Sequence, residues 1–244
     1  MKKSNKKIKI GSWITTFNPS AANLMSSLGF EWLCIDLEHS SIDLFQMEHL
    51  ISIIEKNGCQ PFVRVGKNDD LIIKRSLDSG AQGIIVPMIK DKSDAKKAVD
   101  SCKYSPSGTR GVGFGRAQLY GFNFKNYIKH SKKISIILQI EHKDAIRNLT
   151  EILSVPGISG TLIGPYDLSA SLGTIGKLNS PGVKKALAYY EKMSKKHKIN
   201  MGIHMVNPNL NKYKQYLKKG YQFVAIGTDM IFLGNACRNF IKKI

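Results

Sequence analysis

Short apolar, β-branched runs recur along the 244-residue chain, at 8–13, 32–36, 61–65, 83–87, 135–140, 160–164, 201–205 and 222–227. Each is apolar almost throughout instead of alternating with polar residues, the pattern of strands buried on both faces of a parallel sheet. Between them the spacing turns helical. In 42–56, Leu44, Met47, Leu50, Ile51 and Ile54 fall on one helical face, and 70–78, 93–102, 144–153, 181–197, 209–218 and 230–241 follow the same rule. Strands alternating with helices predict a single-domain (β/α)8 barrel over residues 1–244 rather than an open sheet, and the length suits one such barrel.

There is no linker, internal repeat or low-complexity tract. The one long irregular stretch, 103–131, follows the fourth-strand helix and contains Arg110 and Arg116 within a glycine-rich segment. Connections of that length in a compact domain are usually functional or lid-like.

The chain is 42% hydrophobic, enough for a sizeable core. No apolar run reaches the roughly 20 residues needed to cross a bilayer. The basic start, MKKSNKKIKI, lacks the apolar stretch and cleavage site of a secretory signal, so the expected location is cytoplasmic. Cys34, Cys59, Cys102 and Cys237 are widely scattered, which points to free thiols instead of a zinc site. The net charge of +19 raises the question of nucleic acid. Of 37 basic residues, however, 31 are lysine and only six arginine, which argues against base readout. The lysines are spread along the chain, and a bias toward Lys, Ile and Asn accounts for most of the excess. No specific nucleic-acid or membrane partner is expected.

Barrel chemistry gathers at the C-terminal ends of the strands. There the second run ends Asp36-Leu-Glu-His39, the third carries Arg64, the fifth ends Gln139-Ile-Glu141, and the sixth is followed by Gly164-Pro-Tyr-Asp167. Glu141 and Asp167 follow neighbouring strands, so their carboxylates can converge on a hard divalent cation such as Mg2+, Mn2+ or Co2+. The plainer alternative is two loop carboxylates pairing with lysines. His39 beside Asp36 reads as a general base oriented by a carboxylate, directly or through the loop. Arg64 at the end of a buried strand needs an anionic partner. It can find one in Asp36 or Glu38, or in a ketone oxygen becoming an enolate. Gly164 and Pro165, entering a helix, leave the following N–H groups open to a carboxylate. His49, His130 and His197 lie away from strand ends and read as structural; His142 adjoins Glu141 but should point elsewhere, and His204 is a minor pocket candidate. No lysine falls within the second to eighth strands, which disfavours a Schiff-base aldolase.

At these residues the chain resembles the HpcH/HpaI aldolase family of metal-dependent pyruvate aldolases. The matching pieces are FEWLCIDLEH at 30–39, PFVR at 61–64 with Asn68-Asp69, LDSGAQG at 77–83, VPM at 86–88 and GTRGVG at 108–113. Further matches are QIE at 139–141, IGPYDLS at 163–169 and VAIGTD at 224–229. They stand in family order over nearly the whole chain. The resemblance implies a (β/α)8 barrel with Glu141 and Asp167 as metal ligands and His39 with Asp36 as catalytic dyad. It also implies that Arg64 binds the pyruvyl oxygen and stabilises the enolate, while Gln139 and the Gly164–Pro165 turn seat pyruvate. The second substrate would be an aldehyde. The family also implies dimers or hexamers that exchange the last helix, here 230–241. The segment 113–121 looks like one branch of it.

Two other readings compete. One is a lyase acting on a CoA thioester, like citrate lyase β subunits or malyl-CoA lyases, although the IDLEH segment fits the aldolases better. The other, of a different class, is a basic polyanion-binding barrel without catalysis, motivated by the charge.

Overall fold

The computed structural model describes residues 9–244, so Ile8, the first residue of the expected first strand, lies outside the described residues. Eight strands form one closed parallel barrel in sequence order. They are β1 (Lys9–Ile14), β2 (Trp32–Asp36), β3 (Gln60–Arg64), β4 (Gly83–Val86), β5 (Ser135–Ile140), β6 (Gly160–Ile163), β7 (Asn200–Met205) and β8 (Tyr221–Thr228). All eight coincide with the apolar runs to within two residues at either end.

Continuous apolar strands are explained by two separate cores. One fills the space between sheet and helices, with Leu33, Ile35, Val63, Ile84 and Val224 facing outward into it. The other fills the barrel itself, with Trp13, Trp32, Phe62, Ile85, Leu162 and Phe223. Trp32 stacks on Phe223 with ring centroids 4.1 Å apart, and Phe62 packs against both rings. Gly11 makes room for this plug: a Cβ there would sit 2.1 Å from the Trp32 ring. The barrel interior is therefore solid, and chemistry is confined to its ends. The seam between last and first strands is tied by buried Asp229, which accepts from the hydroxyls of Thr15 (2.6 Å) and Thr16 (2.7 Å) and from their N–H groups.

The helices are α1 (Pro19–Ser27), α2 (Leu44–Lys56), α3 (Asp70–Asp78), α4 (Lys92–Cys102), α5 (Phe124–Ser131), α6 (Lys143–Arg147), α7 (Leu149–Leu153), α8 (Pro165–Ser171), α9 (Pro181–His197), α10 (Leu210–Lys219) and α11 (Asp229–Ile241). The expected helix at 144–153 is two short ones, broken at Asn148, whose side chain donates to the Lys90 carbonyl. Two helices, α1 and α5, were not anticipated by the pattern, while α8 begins at Pro165, where a helix entry was expected.

The stretch 103–131 departs from expectation most. It carries a 3-10 turn (Arg116–Gly121) and α5, and it is anchored at the ends of α2 and α3. Arg116 Nε donates to the Ser79 carbonyl (2.8 Å) and its Nη2 meets Glu55. Arg110 Nη2 meets Asp78 (2.6 Å) and the Tyr127 hydroxyl (2.8 Å). Helix C-termini lie at the end of a barrel opposite the catalytic strand ends. The segment is thus a strap across the far end and not a lid over the catalytic rim.

The thiols of Cys34, Cys59 and Cys102 are buried and that of Cys237 is exposed, all four unpaired. Among the described residues no helix is long and apolar enough to cross a membrane.

Candidate active site

Strand register sets the rim. Asp36 pairs in the ladder with Arg64, so the last residues of β2 and β3 stand side by side. Arg64 Nε reaches Asp36 Oδ1 at 2.9 Å and Nη2 reaches Oδ2 at 2.6 Å, a two-pronged contact. Its third nitrogen, Nη1, lies 3.0 Å from Glu38, and the guanidinium rests 4.4 Å over the Trp13 ring. Asp36 is 2% exposed, so a lone carboxylate there would be costly, and the guanidinium supplies its partner.

Asp36 Oδ1 also accepts from the backbone N–H groups of Glu38 (3.0 Å) and His39 (3.3 Å). The connection between Asp36 and His39 therefore runs through the loop. The imidazole itself is 64% exposed and points outward, with Nε2 3.9 Å from Glu38. It stands where a substrate hydroxyl could reach it.

Glu141, just past β5, is 2% exposed. Oε1 accepts from the Met88 N–H at 2.8 Å and Oε2 from the Gln139 amide. Met88 offers that N–H from a left-handed backbone (φ 54°), an uncommon posture for a residue with a side chain. Gly164, just past β6, leaves the space Glu141 occupies, since a Cβ there would lie 2.9 Å from the carboxylate. Asp167 sits exposed in the first turn of α8, which opens with Pro165. Burial raises the Glu141 carboxyl above its ordinary value, and the charge of Asp167 raises it further. Glu38 is pushed up to about 7, again first by burial, then by Glu141, Asp36 and Asp167 against the opposing pull of Arg64. Asp36, Glu38 and Glu141 thus share one cation, Arg64, and Asp167 adds a fourth negative charge beside them.

That surplus of negative charge, with hard oxygen donors and open positions, fits a divalent metal held by Glu141 and Asp167. Each Glu141 oxygen spends one lone pair on a protein donor and keeps another. The buried Oε1 of Gln139 beside it has no hydrogen-bond partner, a suitable acceptor for a water on the cation. Among the described residues no group of three His, Cys, Asp or Glu side chains forms a closed metal cage. A two-carboxylate site leaves room for substrate oxygens.

The other histidines fall in place. His142 caps α6, its Nδ1 accepting from the Asp144 N–H at 3.2 Å. His204, half-buried under the rim, is pushed down to about 4 by desolvation and, neutral, donates from Nε2 to the Gly227 carbonyl (3.0 Å). Glu38, Trp13 and the Met88 N–H were not among the residues singled out from the sequence for the site. Only Glu38 had a sequence signal, as a further acid at a strand end.

A closed parallel barrel whose catalytic end gathers these groups is built for lyase chemistry at a carbonyl. The HpcH/HpaI aldolase/citrate lyase family model matches residues 9–236, and the chain belongs to that family. The chain is 35% identical over 226 residues to 2-dehydro-3,6-dideoxy-6-sulfogluconate aldolase of Pseudomonas putida, covering 92% of this chain and 88% of that one. It is 33% identical, with the same coverage, to 5-keto-4-deoxy-D-glucarate aldolase of Escherichia coli O139:H28. A crystal structure of a family protein from Burkholderia cenocepacia J2315 superposes with a TM-score of 0.92 at 29% identity, covering 98% of this chain and 95% of that chain. The protein is a carbon–carbon lyase of the aldolase type.

Proposed function

We propose that this aldolase acts on a 2-oxo acid of the sugar-acid class, cleaving it to pyruvate and an aldehyde or joining the two in reverse. The observation that carries the reading is the cluster of Asp36, Glu38, Glu141 and Asp167 around Arg64 at one rim. The names of the similar aldolases point to the same substrate class.

Glu141 and Asp167 would hold Mg2+, Mn2+ or Co2+, which when bound supplies Lewis acidity toward the oxygens of the 2-oxo acid. Gln139 and the Gly164–Pro165 turn seat the substrate carboxylate. His39 takes the proton of the aldol hydroxyl, the C–C bond breaks, and its electrons flow toward the ketone. Arg64 donates to that oxygen, whose charge grows as the enolate forms, so the contact strengthens toward the transition state. Asp36 and Glu38 keep the guanidinium aimed. A proton returned to the enolate carbon completes pyruvate.

Screening pyruvate with a panel of aldehydes and each metal tests this reading. Turnover that depends on metal and releases pyruvate from a sugar-acid aldol is expected. Full turnover after exhaustive chelation, or a lysine adduct trapped by borohydride, overturns it. Acyl-CoA substrates in the same screen separate the thioester lyases.

The proposed protein is a cytoplasmic homo-oligomer, dimeric or hexameric. In α11 only Asp229 is buried, while Met230, Leu233, Phe240 and Ile241 are exposed, as suits a helix exchanged with a second copy.

A further inference from the structure

The positive charge is not evenly spread, contrary to the first reading of the lysines. Residues 174–220 contain eleven lysines and one acidic residue, Glu191, whereas 11–60 contain six carboxylates and one lysine. The basic stretch comprises α9 and α10, on the outer wall of the barrel.

On one side of α9 lies an open groove of about 620 Å³, bounded by α6 and α8. Its floor is hydrocarbon, from Ile146, Leu168, Leu172 and the exposed Tyr189. Gly182 lines one end, where even a Cβ would meet only Leu172, at 3.9 Å, so that end is open. The rim is cationic: Lys143, Arg147, Lys185 and Lys192, with no carboxylate lining the groove. Arg147 is already engaged by Asp144 at 3.1 Å. Among the described residues none of the three lysines has an ion-pair partner. Lys185, Tyr189 and Lys192 follow one another at i, i+4 and i+7, so a single face of α9 supplies both an aromatic wall and two charges.

An apolar floor alone would accept any hydrocarbon, and a basic rim alone any anion. Together they select a molecule with both parts, and a second copy of this chain would bring the same positive rim against itself. We infer that this groove binds an alkyl carboxylate of the fatty-acid type, its chain along Leu168 and Leu172 and its head between Lys185 and Lys192. The seat lies on the outer wall, behind the helix whose first turn carries Asp167, and it is independent of the catalytic reading.

Calorimetric titration of the full chain with decanoate, below its micelle concentration, tests the site, with decanol and decyltrimethylammonium as controls. Saturable binding of one decanoate per chain is expected, with both controls at least tenfold weaker. The double variant Lys185→Glu/Lys192→Glu should weaken decanoate tenfold or more, and Ala188→Trp should block the groove. Both changes fall on the solvent side of α9, and thermal midpoints near that of the parent verify the fold. Equal binding of decyltrimethylammonium, affinity unchanged in both variants, or no saturable binding overturns the inference. So does sedimentation showing that a second copy covers this face.

Discussion

Two arginines with little exposed side chain stand at opposite ends of this barrel, and the difference between them separates a catalytic site from a clamp. Arg64 at the rim is gripped by Asp36 and Glu38 and lies over Trp13. Arg110 at the far end has a side chain with no solvent exposure, is gripped by Asp78 and lies over Tyr104 at 4.6 Å. Burial, ion pairing and an aromatic partner are common to both. What distinguishes the rim is charge balance. Around Arg110 one carboxylate answers one guanidinium through Nη2, so the charges balance even though Nε and Nη1 are buried without hydrogen-bond partners among the described residues. At the rim there are four carboxylates to one guanidinium, and burial followed by neighbouring carboxylates pushes two of them, Glu38 and Glu141, toward protonation. A buried arginine alone says little about function; a surplus of carboxylates around it calls for a second cation.

The sharpest break in the comparison is Glu141→Gln. It removes a proposed ligand and a buried charge together, so turnover should fall by roughly 10³-fold or more while the metal-free fold is kept or stabilised. Manganese calorimetry beside a thermal midpoint reads both; a variant that still binds metal normally would remove Glu141 from the ligand set. His39→Ala should slow aldol chemistry by roughly 10²–10⁴-fold without loss of metal, as befits an exposed acid–base group. Loss of the metal site with His39 would show that the roles are wrongly divided.

The matched pair comes next. Arg64→Lys keeps the charge but loses the planar fork, and should lower turnover by roughly 10- to 100-fold, more than it weakens pyruvate binding. Arg110→Met should instead cost about 3–5 kcal/mol of stability by stranding Asp78, with activity per folded molecule unchanged. If Arg64→Lys melts early yet works normally once folded, the two arginines are the same kind of device.

The smallest effect is in pH. Glu38 titrates near 7 in the metal-free fold against an ordinary 4.5. A raised folded value stabilises fully below about 4.5 and loses that contribution as pH rises through about 7. The metal-free protein should therefore lose melting temperature between pH 5 and 8, and Glu38→Gln should flatten the slope. Metal binding, which favours ionised carboxylates, should release protons and strengthen with pH over the same window. An identical pH slope in parent and variant would clear Glu38 of this part.

The strands were legible because a doubly buried strand must be apolar at every position, and the acids and Arg64 stood out against that background. The unanticipated helices had no such contrast: α5 buries no side chain, and α1 is short and rich in Ser, Ala and Asn. The position of the strap was within reach of the sequence. A segment between a helix and the following strand must begin at the far end of a parallel barrel, whatever its length. The Met88 N–H that holds Glu141 was out of reach, since a backbone group leaves no mark in a list of side chains. The direction of His39 was equally hidden. Sequence puts His39 three residues from Asp36, and only the turn decides that the backbone, and not the ring, meets the carboxylate.

Gly164 bears on how chains of this shape can diverge. A Cβ in place of its hydrogen would come within 2.9 Å of Glu141. Alanine there is one nucleotide change from any glycine codon, and it would be met at once by an evicted carboxylate. A descendant that kept the barrel but abandoned the cation would be free to make that change; one that kept the chemistry would not. The smallest residue in the site is thus a marker by which a lapsed lyase could be told from a working one.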